Sequence, residues 1–274
     1  MRLSIRHVTT YEYDAPVGWG LQQLRLTPKA TAAQRVLSWD VAVEGGRREL
    51  SFEDHHRNHV DLVSLEPGAT RVAVTAQGEV EVDDTAGILG PHGGFAPLWL
   101  FQGATPRTAP GRGCERLIAA VSGEERMLLR LHDLSAAIAE AVAWTEGAGD
   151  VARGAEEAIA AGQGVCQDQA HVMIACARAM GVPARYVSGY LRLDGRDEAQ
   201  ASHAWAEAWL PDLGWVGFDV ANAMSPDDRY VRVATGLDYA EAAPVSGTRR
   251  RQGGERLSVA VTVTESVTGS VAAP

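Results

Sequence analysis

A chain of 274 residues with 46% hydrophobic and 22% charged side chains can bury one large core or two modest ones, and is too apolar to stay unfolded. With 25 basic and 35 acidic residues the formal charge is −10, the wrong sign for a nucleic acid or an anionic membrane as main partner. Three cysteines cannot all pair, and no stretch approaches the roughly 18 apolar residues of a spanning helix, so the expectation is a reduced, cytoplasmic protein without a disulfide framework.

Residues 1–88 read as β. Apolar and polar residues alternate over Leu3–Val8, Val36–Val43, His59–Leu65, Arg71–Thr75 and Gly78–Val82, with turns at Gly45-Gly46 and Pro67-Gly68. Short strands at this spacing, with no helical stretch between them, predict an antiparallel β-sandwich. One turn holds His55, His56 and His59. Apart from Asp54 and Asp61 beside them, no cysteine or carboxylate completes a set at zinc spacing, so the turn reads as polar rather than metal-binding.

Residues 89–123 collect breakers (Gly90-Pro91, Gly93-Gly94, Pro106, Pro110, Gly111, Gly113) and read as a Pro/Gly-rich connection. A second domain is expected over 124–266. Met127, Leu128, Leu131, Leu134, Ile138 and Val142 recur at helical spacing within Glu124–Trp144, and Glu156–Ile159 suggests a short helix. A further helix spans Cys166–Met180, closed by Gly181 and Pro183. Strands follow at Ala184–Leu191, His203–Trp209, Trp215–Asp219 and Leu257–Val263. Gly247–Gly254, with three consecutive arginines, reads as a mobile surface loop, and 267–274 as a frayed tail.

The chemistry concentrates where a Gly-rich loop, Gly162-Gln163-Gly164-Val165, turns into the helix that starts at Cys166. A helix N-terminus carries unbonded N–H groups and a partial positive charge. Both favour a negative sulfur and can receive an oxyanion. A nucleophilic cysteine needs a base and a group to orient that base. His203 opens one strand and Asp219 ends the next. Parity decides whether they meet. A four-residue loop over 211–214 puts Asp219 opposite Ala206, on the wrong face. A five-residue loop over 210–214 pairs Trp209 with Trp215 and sets Asp219 opposite Trp205, on the His203 face. The chemistry therefore asks for an odd-length connection or a bulge.

Gly164-Val165-Cys166-Gln167-Asp168-Gln169-Ala170-His171, Gly181-Val182-Pro183-Ala184-Arg185-Tyr186, Ser202-His203-Ala204-Trp205-Ala206-Glu207-Ala208-Trp209 and Gly214-Trp215-Val216-Gly217-Phe218-Asp219 together resemble the bacterial transglutaminase-like family. The β-rich start, with Thr10-Tyr11-Glu12-Tyr13 and Leu24-Arg25-Leu26-Thr27-Pro28, is similar to the N-terminal β domain of the same subgroup. The resemblance implies an α+β fold: a papain-like core, a helix packed on an antiparallel sheet, behind an N-terminal β-sandwich. It also implies a triad of Cys166 as nucleophile, His203 as general base and acid, and Asp219 as orienting group. The chain departs from the family at Gln169, at Val220-Ala221-Asn222 and at Trp144. Those changes touch the acyl pocket and leave the three triad positions in place.

The implied reaction is thiol-dependent acyl transfer on a peptide or protein amide through a thioester, with no cofactor and no metal. Hydrolysis is slightly favoured over transamidation. The competing reading is a binding or scaffold protein that kept the fold without catalysis. Cys176 reads as core and Cys114 as inert. His171 reads as packing behind the site and Asp168 as a helix-start carboxylate. Gln163 is a possible oxyanion donor with many simpler uses. Trp205, Trp209 and Trp215 read as core and groove wall.

Overall fold

The computed structural model describes residues 1–150, 152–193, the backbone of 198–199, 202–250 and 253–266. The N-terminal third is all strand: β1 (Arg2–Tyr13), β2 (Gly20–Leu24), β3 (Gln34–Glu44), β4 (Gly46–Glu53), β5 (His59–Leu65), β6 (Arg71–Val82) and β7 (Ile88–Gly90). Helices follow as α1 (Arg112–Ala120) and α2 (Met127–Ala141). Next come β8 (Ala143–Trp144), α3 (Ala155–Ala161), β9 (Gln163–Gly164) and α4 (Cys166–Ala179). The chain then runs through β10 (Ala184–Leu191), β11 (Glu198–Ala199), β12 (His203–Leu210), β13 (Gly214–Phe218), β14 (Tyr230–Gly236) and α5 (Tyr239–Ala242). It ends with β15 (Val245–Arg249) and β16 (Glu255–Glu265). The fold is α+β, mostly antiparallel.

Two sheets make the sandwich, one ordered β11-β16-β1-β6-β3 and the other β15-β2-β5-β4. Leu24, Val41, Val63 and Val74 pack between them, as strand alternation directs. Arg71–Thr75 and Gly78–Val82, expected as two strands, are one. Gly78 sits mid-strand because a Cβ there would lie 2.1 Å from the Ser38 carbonyl oxygen and 2.8 Å from the Trp39 ring.

The last two strands do not stay with the second domain. β16 pairs with β1 along its length, from Leu3 opposite Glu265 to Tyr13 opposite Glu255, and β15 pairs with β2. Val261 and Val263 thereby join Leu3 and Ile5 in the core, a long-range pairing that local alternation cannot show. The arginine-rich stretch read as a mobile loop starts as strand β15. The 267–274 tail lies outside the described residues.

The expected 89–123 connection also holds structure, a 3-10 turn at Leu98–Gln102 and then α1. Its glycines mark a helix start rather than a linker. Glu156 of α3 accepts from the amides of Gly111 (2.9 Å), Gly113 (2.8 Å) and Cys114 (2.8 Å). A Cβ at Gly113 would lie 2.8 Å from that carboxylate. Glu156 is thus a cap supplied from a distant helix.

The second sheet runs β14-β10-β12-β13-β7. α4 packs on it, and its Val172 and Ile174 share one buried core with Tyr186, Ala206, Ala208 and Phe218 of the sheet, which α1, α2 and α3 close. α4 ends in a Schellman turn. The Gly181 amide bonds the Arg178 carbonyl (2.9 Å) and the Val182 amide bonds the Ala177 carbonyl (2.9 Å), with Gly181 at φ +79°. Tyr190, Val231 and Val233 pack against Leu3, Ile5, Val80 and Val82 of the sandwich. His7 Nδ1 and the Tyr190 hydroxyl meet at 2.9 Å across that junction.

Candidate active site

Three ends converge: the first residue of α4, the first of β12, and the residue after β13. α4 starts on Cys166 with Val165 as N-cap in extended backbone. Valine has no side-chain acceptor, and Asp168 supplies one. Its Oδ2 accepts the Val165 amide at 2.9 Å, with Arg153 Nη1 3.7 Å away. Burial raises the Asp168 carboxyl, opposed by the Val165 hydrogen bond and Arg153, so its part is structural, as expected. The first-turn amides of Cys166 and Gln167 have no helical carbonyl to bond.

The β12–β13 hairpin has the odd connection that the chemistry asked for. Leu210 pairs with Gly214 and Trp209 with Trp215, leaving three residues in the turn, and Ala206 pairs with Phe218. Asp219 therefore reaches the His203 side. His203 Nε2 donates to Asp219 Oδ2 at 2.6 Å, which leaves Nδ1 for the Cys166 sulfur. Burial opposes a charge on His203. Interaction with the Cys166 sulfur, hydrogen bonds with Asp219 and Cys166, and the Asp219 charge outweigh it, and the His203 pKa is pushed up to about 10.

Two residues at the centre were not singled out from sequence. Asp219 Oδ2 also accepts from Asn222 Nδ2 (2.7 Å) and from the Tyr230 hydroxyl (2.8 Å), and its Oδ1 accepts the Asn222 amide (3.3 Å). Burial raises the Asp219 carboxyl, yet these bonds and the His203 charge hold it below the ordinary value. Asn222 appeared only as a departure from the family pattern. Tyr230 opens β14, whose Tyr230-Val231-Arg232-Val233 alternation is a readable strand signal. Trp205 and Tyr230 flank the His203 ring, at 6.2 and 6.0 Å between centroids, and cover the pair from water.

The surrounding residues divide cleanly. His171 is buried, its Nε2 accepts the Tyr239 amide at 3.2 Å, and burial pushes its pKa down to about 4, so it is a neutral packing residue. The Gln163 side chain is exposed. Trp144 is also exposed, on the short parallel ladder where it pairs with Gly164 beside Cys166. Gln169 Nε2 donates to the Val142 carbonyl at 2.8 Å, tying α4 to the end of α2. Cys114 and Cys176 are fully buried, whereas Cys166 is half-exposed.

A substrate-free test follows from the charge balance. The His203 ring should stay an imidazolium through neutral pH and lose its proton near pH 10. Because the folded value is raised, the stabilisation is complete below about 6.5 and fades as pH rises through about 10. Cys166→Ala removes the largest raising contribution and leaves burial opposed by Asp219 alone, so the same ring should titrate lower. Nitrogen chemical shifts of the labelled histidine ring across pH report both.

The arrangement places a half-buried sulfur at a helix N-terminus, beside an imidazole braced by a buried carboxylate, on an α+β scaffold. Residues 115–220 match the family described as the transglutaminase-like superfamily, and residues 3–81 match the bacterial transglutaminase-like N-terminal region. The chain belongs to the transglutaminase-like superfamily over these two regions. It is 28% identical over 280 residues to an uncharacterized protein of Mycobacterium leprae, covering 96% of this chain and 98% of that protein. A protein-glutamine gamma-glutamyltransferase of Pseudomonas aeruginosa is 33% identical over 106 residues, covering 32% of this chain and 15% of that protein. The fold matches the crystal structure of a candidate cysteine protease from Cytophaga hutchinsonii with a TM-score of 0.77 at 21% identity, over 98% of this chain and 91% of that one.

Proposed function

We propose that the protein is a thiol acyl-transfer enzyme acting on a peptide or protein amide, with Cys166 as nucleophile, His203 as general acid and base, and Asp219 as the orienting carboxylate. One observation carries the reading: His203 is hydrogen-bonded to Asp219 through Nε2 and coupled to the Cys166 sulfur. The Cys166 thiolate attacks the amide carbon, and the first-turn amides receive the oxygen charge. The C–N bond breaks as His203 gives its proton to the leaving nitrogen, and a thioester remains. His203 then takes a proton from water, which attacks the thioester and releases a carboxylic acid. An amine in place of water gives a new amide. Hydrolysis is the favoured outcome, because a half-exposed Cys166 leaves the thioester open to water. The free thiols of Cys114, Cys166 and Cys176 suit a reducing compartment such as the cytoplasm. Among the described residues no helix is long and apolar enough to cross a membrane.

Iodoacetamide separates this reading from a silent scaffold. At pH 6 an ordinary thiol is below about 1% thiolate, so a Cys166 activated by His203 should alkylate faster in the wild-type chain than in His203→Ala by a factor on the order of 10². Peptide mass spectrometry over a time course follows the Cys166 peptide in both, since Cys114 and Cys176 are shielded by burial alone. Equal, slow labelling of Cys166 in the two proteins would remove the enzyme reading.

A further inference from the structure

The histidine-rich turn between β4 and β5 gains a partner that its own neighbourhood does not contain. Asp54 is occupied as the turn's cap, accepting the amides of His56 and Asn58 at 2.9 Å each. Asp61 Oδ1 takes Ser51 and lies 3.3 Å from His59 Nε2. Neither faces His55 and His56. Glu241 does, from α5 near the other end of the chain. One imidazole nitrogen from His55, one from His56 and a Glu241 oxygen all lie within 4.8 Å of one another. His56 Nε2 is 2.8 Å from Glu241 Oε2, and the two imidazoles lie against each other with centroids 4.0 Å apart.

We propose that His55, His56 and Glu241 form a site for a divalent transition metal of the zinc class, with water in the fourth position, clamping the N-terminal sandwich to α5. Two imidazoles and a carboxylate suit a borderline cation such as Zn²⁺. In a tetrahedral site with bonds of about 2.0–2.2 Å the donors stand roughly 3.3–3.5 Å apart. His56 Nε2 and Glu241 Oε2, at 2.8 Å, need only open by about half an ångström to reach it. His55 is exposed and can close the remaining gap by rotation.

The groups behind the donors are also in place. The Leu237 amide donates to Glu241 Oε2 at 2.7 Å, which fixes the carboxylate and leaves Oε1 open. Lys29 Nζ holds the His56 carbonyl, and the Phe101 ring lies 5.7 Å from the His56 ring as an apolar wall. Metal binding replaces the His56–Glu241 hydrogen bond with two metal bonds, and the His56 Nε2 proton passes to Nδ1 or to water. The clamp would also reach the nucleophile's helix, since the neighbouring Tyr239 amide is bonded to His171 of α4.

The test uses the full chain carrying Cys166→Ala, so that the reactive thiol does not compete for metal. Zn²⁺ titrated in a calorimeter should bind with one equivalent, and Co²⁺ should develop visible absorption bands of a low-coordinate N/O site. Zn²⁺ should also raise the thermal midpoint. His55→Ala, at an exposed position, and Glu241→Gln, which keeps an acceptor for Leu237, should each weaken binding at least about 10-fold and lose the midpoint shift. Circular dichroism checks that both variants stay folded. Absence of binding at about millimolar Zn²⁺ overturns the proposal. So does binding that is unchanged in both variants, which would place the ion on other histidines.

Discussion

Cys166→Ala will abolish amide-bond chemistry while leaving the fold intact. In the proposed mechanism its sulfur forms the covalent bond, which alanine cannot make. The side chain is half-exposed at the start of α4, so a smaller residue opens no sealed cavity. His203→Ala should fall close to it, because formation of the thiolate and protonation of the leaving nitrogen both pass through that ring. Asp219→Asn should lower the rate by about 10²–10⁴ and leave measurable activity. An asparagine oxygen can still accept from His203 Nε2, but the charge that supports the imidazolium is gone, and Tyr230 and Asn222 are left donating to a weaker acceptor. The measurement is a rate series on an accepted amide substrate, with each variant's fold checked. Near-wild-type activity in folded Cys166→Ala protein would falsify covalent thiol catalysis.

Glu207→Gln will destabilise the fold strongly without touching Cys166, His203 or Asp219. Glu207 is fully buried in the middle of β12 between two arginines. Arg185 Nε lies 2.6 Å from its Oε2, and Arg232 Nε lies 2.7 Å from its Oε1. The partners pull in opposite directions. Burial raises the Glu207 carboxyl, but the two guanidiniums dominate and push its pKa down to about 2. Burial instead lowers Arg185 to about 10 despite the pairing. Insertion of such a set into the fold is therefore close to neutral, while breaking it leaves two buried cations facing each other. That costs about 3–5 kcal/mol, or a fall in Tm of about 6–20 °C for a domain of this size. Because the folded carboxyl value is depressed, this stabilisation is present above the ordinary carboxylate range and is lost as pH falls toward 2. Replacing Arg185, Glu207 and Arg232 together by methionine should be milder than Glu207→Gln alone. A triple variant that melts below the single one would sink the account.

The sequence carried most of the local structure and the central contacts of the candidate site. The Cys166 helix was readable from its apolar spacing and its Gly181-Val182-Pro183 stop, and the structure places it at Cys166–Ala179. The hairpin parity argument was sound because a strand's side chains alternate strictly, so a His–Asp meeting constrains the turn to an odd count. The gaps all involve partners far apart in the chain. α1 was hidden because its cap, Glu156, lies on another helix. Tyr230 was overlooked because its role depends on β14 lying beside β10. Glu207 sits in the same strand as His203, and nothing local shows the two arginines that meet it from β10 and β14. Glu241 was absent from the reading of the histidine turn for the same reason.

The return of β15 and β16 to the sandwich also bears on how the molecule is made. β1 and β2 leave the ribosome early, but their outer partners are among the last strands synthesised. Until then both sheets carry an open edge of unpaired backbone, on strands whose other face is apolar, and such edges recruit foreign strands. Closing them waits for contacts of very long sequence separation, which are slow to form. The half of the protein made first is therefore the last to lock, and a nascent chain stalled after α4 would present two unfinished sheets for a chaperone, or for another stalled copy, to capture.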